Sequence, residues 1–438
     1  MNATKQLAIH LSGRLRRSPF VLNVANLFVG DVLVQAIGFL SLLLLTRLYS
    51  PEAFGILGVF MAISEVGAKL STLRYDAALV LPDNDEPAGA LFRFSMYTCV
   101  AFCALLLIIG FLGSGLVSAL VDLNLTPVFF LLIALMVMGL GADGLCVFWW
   151  MRGKHFRSIA ESSVIAATIG NGTKILGGLS GYGAGGLLLG TVLQRWVRIG
   201  LLWRSLVAPE RPKLMGTLRD SLQQARTYRD FPYYRMPQEV IHMFSQQAPT
   251  VLLAAFYGAT TAGFYILATR ILQLPVAMMQ TSFRRVFYVR SVEAQRCRDS
   301  LFHLCMKYST YICLGLLPVA LVVIFWAGPL FVTVCGSEWT TSGTYAKWVM
   351  VFLLFGSISV PFSAIMPVVG LNRFYLIYEI ISVTIRLSVI SFVAASATAI
   401  ATVIAISLGA TLSSVIFTTI VLLYLRHRDL AIANDPHE

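Results

Sequence analysis

The chain has 438 residues, of which 57% are hydrophobic and 12% charged, with a formal net charge of +12 and a mean hydropathy of +0.78. Soluble domains carry roughly 25% charged residues, so half that share cannot clothe a water-facing surface, and the composition excludes a large soluble protein. The positive charge does not point to nucleic acid either: Lys and Arg cluster in short segments between apolar windows, with no basic stripe interleaved with aromatics.

Apolar windows long enough to cross a hydrocarbon core of about 30 Å recur from Val21 to Leu425. The basic N-terminus, MNATKQLAIHLSGRLRRSPF, runs into an apolar stretch that continues to Thr46. It therefore reads as a membrane-surface segment before a retained first helix, not as a cleaved signal peptide. About twelve spans follow by window reading: 21–46, 54–81, 91–112, 126–150, 156–179, 183–203, then 238–257, 262–288, 301–326, 344–369, 374–395 and 398–425. A polar, basic segment at 204–237 separates the two sets of six.

With the N-terminus inside, one side receives Lys5, Arg14, Arg16 and Arg17, then Arg93, Arg152, Lys154 and Arg157, and the cluster from Arg204 to Arg235. The same side receives Arg284, Arg285, Arg290, Arg296, Arg298, Arg373, Arg426 and Arg428, whereas the other gains little beyond Arg47 and Lys347. An even number of spans with both termini cytoplasmic satisfies this pattern. The expected organisation is a cytoplasmic or interfacial N-terminus (1–20), an N-lobe (21–203), a basic cytoplasmic linker (204–237), a C-lobe (238–425) and a cytoplasmic tail (426–438). The longest outer loop is expected at 332–345, and no segment is long enough for a soluble catalytic domain. The seven cysteines form no CxxC pair, so neither a disulfide framework nor a zinc site is expected; Cys99 and Cys103, one turn apart, read as packing residues.

The stretch LYSPEAFGILGVFM from Leu48 aligns with FYGATTAGFYILAT from Phe256, matching Tyr49 to Tyr257 and Gly55 to Gly263 at the first outer turn of each half. Six spans, a basic linker and six more give two parallel bundles, an arrangement that places a transport site at the repeat interface.

Four runs in order, LTRLYSPEAFGILGVF, LRYDAALVLPDNDE, YRDFPYYRMPQ and FYGATTAGFYILATRILQLP, resemble the polysaccharide-transporter branch of the multidrug/oligosaccharidyl-lipid/polysaccharide (MOP) exporter superfamily. Within it the chain is most similar to Wzx-type flippases. The resemblance implies an all-α polytopic membrane protein of about twelve helices in two pseudo-symmetric six-helix lobes, the MATE-like V shape, working by alternating access. It implies a substrate of oligosaccharide on undecaprenyl pyrophosphate, an O-antigen or exopolysaccharide repeat unit, carried from the inner to the outer leaflet of the bacterial cytoplasmic membrane. It also implies cavity cations that hold the pyrophosphate, with polysaccharide polymerase and chain-length proteins as candidate partners.

An ionisable group at the centre of a span costs roughly 2.5–3.5 kcal/mol on insertion scales, so each needs a partner or a wet cavity. Arg270 lies about two turns into its span with no acid within one turn on its own helix, and Gln273 and Pro275 follow it. It is the first candidate for substrate binding, because guanidinium holds phosphate oxygens in pairs; pairing with another helix is the competing reading. Lys174 in NGTKIL, Arg386, Arg74 and Lys69 are weaker candidates for the same role. Gln246 and Gln247, in IHMFSQQAP with His242, are expected to meet sugar hydroxyls. Asp31, Glu65 and Asp143 are candidates for H⁺ or Na⁺ coupling, each weighed against a structural role. Glu65 and Lys69, spaced i,i+4, are placed to pair along one helix face, and Arg195 and Arg198 are further charges at membrane depth.

The glycine-rich run at 177–190 has no preceding strand and no GK[ST], so it is a turn between spans and not a phosphate loop; Gly186 and Gly190 are spaced for close helix packing. No ATPase, catalytic residue, metal or cofactor is expected. Two alternatives stay open: a multidrug or cation-coupled exporter of the same superfamily, and a membrane polysaccharide polymerase or glycosyltransferase. The second is disfavoured by the lack of a sizeable outer loop with catalytic acids.

Overall fold

The computed structural model describes residues 19–121, 127–205, 212, 216–297, 299–366 and 368–434. The N-terminal segment, Arg211, Lys213 and Arg298 lie outside these, as does the end of the tail. Inside a bilayer every backbone N–H and C=O must find a partner within the protein, and a helix solves this segment by segment. The described residues accordingly contain helices and no strand.

The helices are α1 (Pro19–Leu48), α2 (Pro51–Ser71), the short α3 (Tyr75–Ala78), α4 (Asp85–Val121), α5 (Pro127–Arg152), α6 (Phe156–Leu179) and α7 (Ala184–Ser205). Next come α8 (Leu218–Thr227), α9 (Met236–Tyr257), α10 (Ala259–Arg296), α11 (Leu301–Cys335) and α12 (Thr340–Ile358). The short α13 (Val360–Ala364), α14 (Asn372–Ser396) and α15 (Ala399–Asn434) complete the chain. Twelve of them, all but α3, α8 and α13, have 19 residues or more. Among the described residues, seven of the helices are long and apolar enough to cross a membrane by length and composition.

Several expected boundaries move. The span expected at 54–81 stops at Ser71, because Leu73 (φ 50°) and Arg74 (φ 59°) turn left-handed and break the helix before α3. The outer loop expected at 332–345 is nearly all helix: α11 runs to Cys335, and a single glycine, Gly336 at φ 113°, reverses the chain into Ser337–Trp339 and α12. The span expected at 344–369 breaks after Ile358, where Pro361 opens α13 and has no N–H to continue the ladder. The linker holds a regular helix, α8, with Thr217 as its N-cap accepting from the Asp220 N–H at 3.1 Å.

The chain forms two compact units. One comprises Met1–Tyr49 and Val59–Gln246, and the other Ser50–Gly58 and Gln247–Glu438. The linker thus belongs to the first unit, together with α9 as far as Gln246. Three helix pairings recur in both units. In the first, α4 pairs with α5, α6 with α7 and α5 with α7; in the second, α11 with α12, α14 with α15 and α12 with α15. These are the third with the fourth, the fifth with the sixth and the fourth with the sixth long helix of each half.

The two tyrosines matched in the sequence repeat do the same work. Tyr49 Oη donates to the Lys174 carbonyl of α6 at 2.6 Å. Tyr257 Oη lies 3.2 Å from the Ala394 carbonyl of α14 and 2.9 Å from that of Ala397, and shares a 2.7 Å hydrogen bond with Thr402 of α15. The matched glycines meet within the second unit. A Cβ on Gly55 would lie 1.7 Å from the Ala259 carbonyl oxygen, and one on Gly263 would lie 1.8 Å from that of Pro51. Pro51 and Ala259 are themselves equivalent in the repeat alignment, so the contact is reciprocal.

Within the first unit, one end of the helices closes over Leu79, Phe92, Leu145, Trp150, Ile159 and Leu202, with Ala225 of α8 in the same cluster. Gly186 and Gly190 let α7 approach α6: their added Cβ atoms would lie 3.0 Å from the Gly177 Cα and 2.9 Å from the Gly170 carbonyl oxygen. In the second unit, Asp429 of α15 ties down the start of α11, accepting from Ser300 Oγ at 2.7 Å and from the Phe302 N–H at 3.0 Å. Asp429→Ala removes this charge-assisted cap and is expected to cost about 1–2 kcal/mol, seen as a lower melting midpoint of the detergent-solubilised protein. A wild-type midpoint would show that the cap carries nothing.

Candidate functional site in the buried charges

Charges inside the first unit gather into two neighbouring sets. Asp143, midway along α5, is 6% exposed. Its Oδ2 takes Arg198 Nη1 at 2.8 Å and Arg195 Nη1 at 3.3 Å, both from α7. The i,i+3 spacing of the two arginines puts both on the face of α7 that packs on α5, which is why one carboxylate reaches both. A carboxylate between two guanidiniums leaves one surplus positive charge. Arg195 retains 30% side-chain exposure, against 17% for Arg198, so the surplus is reachable on its side.

The second set sits at the left-handed break after α2. Arg74 Nη1 meets Asp76 Oδ2 at 3.2 Å and Arg74 Nη2 meets Glu239 Oε1 of α9 at 3.4 Å. Asp76 Oδ2 lies 3.4 Å from the position of a Cβ on Gly144, the residue after Asp143, so the two sets adjoin. The break is braced from two further sides: Ser95 Oγ donates to the Thr72 carbonyl at 3.0 Å, and Tyr75 Oη donates to the Ala225 carbonyl at 3.0 Å. Burial, and then Tyr233, push the Tyr75 hydroxyl above its ordinary range. Left-handed φ at two successive residues with side chains is held at a cost, and the ion pairs and hydrogen bonds around it supply the constraint.

The other sequence candidates are placed singly. Asp31 is exposed on α1, one residue after Gly30, whose added Cβ would lie 2.7 Å from Ala160 Cβ of α6. One turn on, Gln35 has a buried Oε1 with no hydrogen-bond partner among the described residues. Glu65 and Lys69 are half-buried; the expected pair along the helix is not made, since Lys69 has no hydrogen bond or ion pair among the described residues. Glu65 is engaged elsewhere. Lys174 Nζ lies 3.4 Å from Gln194 Oε1 of α7.

In the second unit Arg270 is exposed on α10 and takes part in a polar contact, as do Gln247 and Arg386. Gln246, of the first unit, is exposed. Arg386 of α14 is half-buried, within electrostatic reach of Glu379 on its own helix and of Tyr265 and Tyr378.

Three participants escaped sequence reading: Glu239 as partner of Arg74, Gln194 as partner of Lys174, and the buried Arg93. None had a signal, because each partner is remote in sequence or on a helix of different phase. Arg93, read only as a topology charge, is 7% exposed and engaged in the structure. Among the described residues no group of three or more His, Cys, Asp or Glu is arranged to hold a metal ion.

Residues 44–344 match the family described as polysaccharide biosynthesis protein. The chain belongs to the polysaccharide biosynthesis protein family. A curated relative of this kind is the succinoglycan biosynthesis transport protein ExoT of Rhizobium meliloti (strain 1021), 24% identical over 303 residues. That match takes in 69% of this chain and 59% of ExoT, so the chain spans less than two thirds of that relative. The fold is that of the MOP transporters. A lipid II flippase MurJ structure superposes with a TM-score of 0.70 at 13% identity, over 93% of this chain and 91% of MurJ. A multidrug resistance MATE family transporter of the MOP superfamily gives 0.66 at 17% identity, over 91% and 96%. These relatives are transporters and flippases by name, not enzymes. For this member of the polysaccharide biosynthesis family the fold class expected from sequence therefore holds: all-α, polytopic and MOP-like.

Proposed function

We propose that the protein is a flippase that moves undecaprenyl-pyrophosphate-linked oligosaccharide from the inner to the outer leaflet of a bacterial cytoplasmic membrane by alternating access, with both termini cytoplasmic. The observation that carries this reading is the family match across residues 44–344 on a chain built of long helices. The likeness to ExoT, named for succinoglycan transport, supports a polysaccharide cargo, and the MurJ-like fold supports a lipid-linked one.

The cations at depth fit such a cargo. Pyrophosphate needs fixed positive charge and paired N–H donors. Arg270, Lys174, Arg386 and the surplus charge at Arg195 and Arg198 are the groups available, and Arg74 and Lys69 serve as secondary ones. Gln246 and Gln247 are assigned to sugar hydroxyls. We assign coupling to an H⁺ or Na⁺ gradient through Asp31, Glu65 or Asp143, and polymerase and chain-length proteins as downstream partners.

Deletion of the gene is expected to leave undecaprenyl-linked oligosaccharide accumulating on the cytoplasmic leaflet while polymer export stops. Arg270→Ala, with protein level checked, is expected to reproduce the export defect at least about tenfold, the loss of one charge-assisted bidentate contact. Full export by Arg270→Ala removes that residue from the site. Export unchanged by the deletion removes the flippase reading itself. Asp31→Asn with unchanged pH and sodium dependence takes Asp31 out of coupling.

A further inference from the structure

The linker helix α8 has one docked face and one unpartnered face. Its docked face is made of small residues: Ser221 and Ala225 are 0% and 4% exposed. The Ala225 carbonyl accepts from Tyr75 Oη, and just before the helix the backbone at Gly216 lies against the Arg93 guanidinium. The opposite face carries Arg219, Leu222 and Arg226, spaced i, i+3 and i+7, and Leu218 stands beside them. Exposed Arg229 follows, and then Tyr233 and Tyr234, at 71% and 73% exposure, and Arg235. None of the four guanidinium groups makes a hydrogen bond or ion pair among the described residues. Only Asp220 and Asp230 oppose them within 216–235.

We propose that α8 and the short π-helix Phe231–Arg235, which carries Tyr233, Tyr234 and Arg235, form a docking surface for the anionic headgroups of the bilayer that holds the protein. Three features argue for a lipid surface and not a soluble partner. The segment is strung between two long helices of the same unit, α7 and α9, so residues 216–235 stay at the membrane surface by covalent geometry. It ends on a tyrosine pair, and tyrosine rings settle at the headgroup level with the apolar body inward and the hydroxyl in water. Its arginines are spread along the surface with leucines between them, the composition of an interfacial helix, where each basic residue adds to the attraction of an anionic leaflet. The inference does not depend on the transported cargo, so its failure leaves the flippase reading untouched.

Hydrogen exchange of the intact protein in nanodiscs tests it. One set of discs is pure phosphatidylcholine and the other contains phosphatidylglycerol. Exchange of residues 218–235 is expected to be at least about threefold slower in the anionic discs, after normalisation to the turn at 153–155, which lies at the same end of the unit. About 0.5 M salt should erase the difference by screening, and so should R219Q/R226Q/R229Q, which keeps a helix-compatible side chain at each position. The salt arm needs no variant and guards against a folding defect. Equal exchange in both discs overturns the proposal, as does a difference that survives salt and substitution. Protection that appears only when cytoplasmic extract is added overturns it in favour of a protein partner.

Discussion

Gly263→Ala is expected to abolish stable expression or transport, an effect far larger than one methyl group normally produces. The added Cβ would sit 1.8 Å from the Pro51 carbonyl oxygen and 2.7 Å from its carbon. Both atoms are backbone, so no side chain can swing aside. Relief requires the first turns of α2 and α10, both in the second unit, to separate by about 1.5 Å to reach van der Waals distance, forfeiting the dispersion contacts made there. Overpacking typically costs about 1–3 kcal/mol, and a clash with backbone belongs at or above the top of that range. Gly55→Ala meets the reciprocal obstacle at 1.7 Å from the Ala259 carbonyl oxygen and should fail alike. Gly38→Ala on α1 is the control: nothing lies within 4 Å of its added Cβ. That change should be neutral or slightly stabilising, since alanine favours helix by about 1 kcal/mol over glycine. Melting midpoint and polymer export, measured for all three, decide the matter. A Gly263→Ala protein with wild-type values for both would mean that the close approach is not needed.

That pair also shows where sequence reading succeeds and where it stops. Two identities, Tyr49 with Tyr257 and Gly55 with Gly263, are thin as statistics. Each is tied to a specific geometry: a hydroxyl reaching the carbonyl of a fifth helix, and a backbone contact without room for a side chain. The long helices were legible because membrane length and hydropathy constrain composition over many residues at once. The break at Leu73–Arg74 was not, because neither residue is a glycine or proline and the left-handed turn is imposed by contacts from Asp76, Glu239, Ser95 and Tyr75. The turn at Gly336 misled in the other direction. A glycine among serine, glutamate and threonine reads as a loop, yet one residue at positive φ suffices to join two helices. Charged residues at depth could each be found in the sequence, since each is an exception to its apolar surroundings. Their partners could not, because pairing across helices depends on helix phase and contact order that no local period encodes.

Asp143→Ala is expected to destabilise the protein by about 3 kcal/mol or more, because of the charges it leaves behind. The substitution removes the shared carboxylate of Arg195 and Arg198, which stand at 3.3 and 2.8 Å from its Oδ2. Two guanidiniums then face each other inside the unit without a counterion. Stripping one partner from a buried ion pair costs about 3–5 kcal/mol, chiefly because the remaining charge stays desolvated. Arg195 keeps partial access to solvent, which places the expectation at the lower end of that range. Asp143→Asn keeps the shape and an acceptor oxygen but not the charge, so it should be intermediate. The decisive comparison is Asp143→Asn/Arg198→Gln, which removes one charge of each sign. If the role is electrostatic anchorage, the double variant is more stable than Asp143→Asn alone, a coupling of at least about 1 kcal/mol in the double-mutant cycle. Additive losses would deny the pair. Transport separates anchorage from ion coupling: an anchoring Asp143 gives a double variant whose export recovers with its stability and keeps the wild-type pH and sodium dependence. A coupling Asp143 gives one that folds but has lost that dependence, because the group that exchanges the ion is gone whatever its neighbours do.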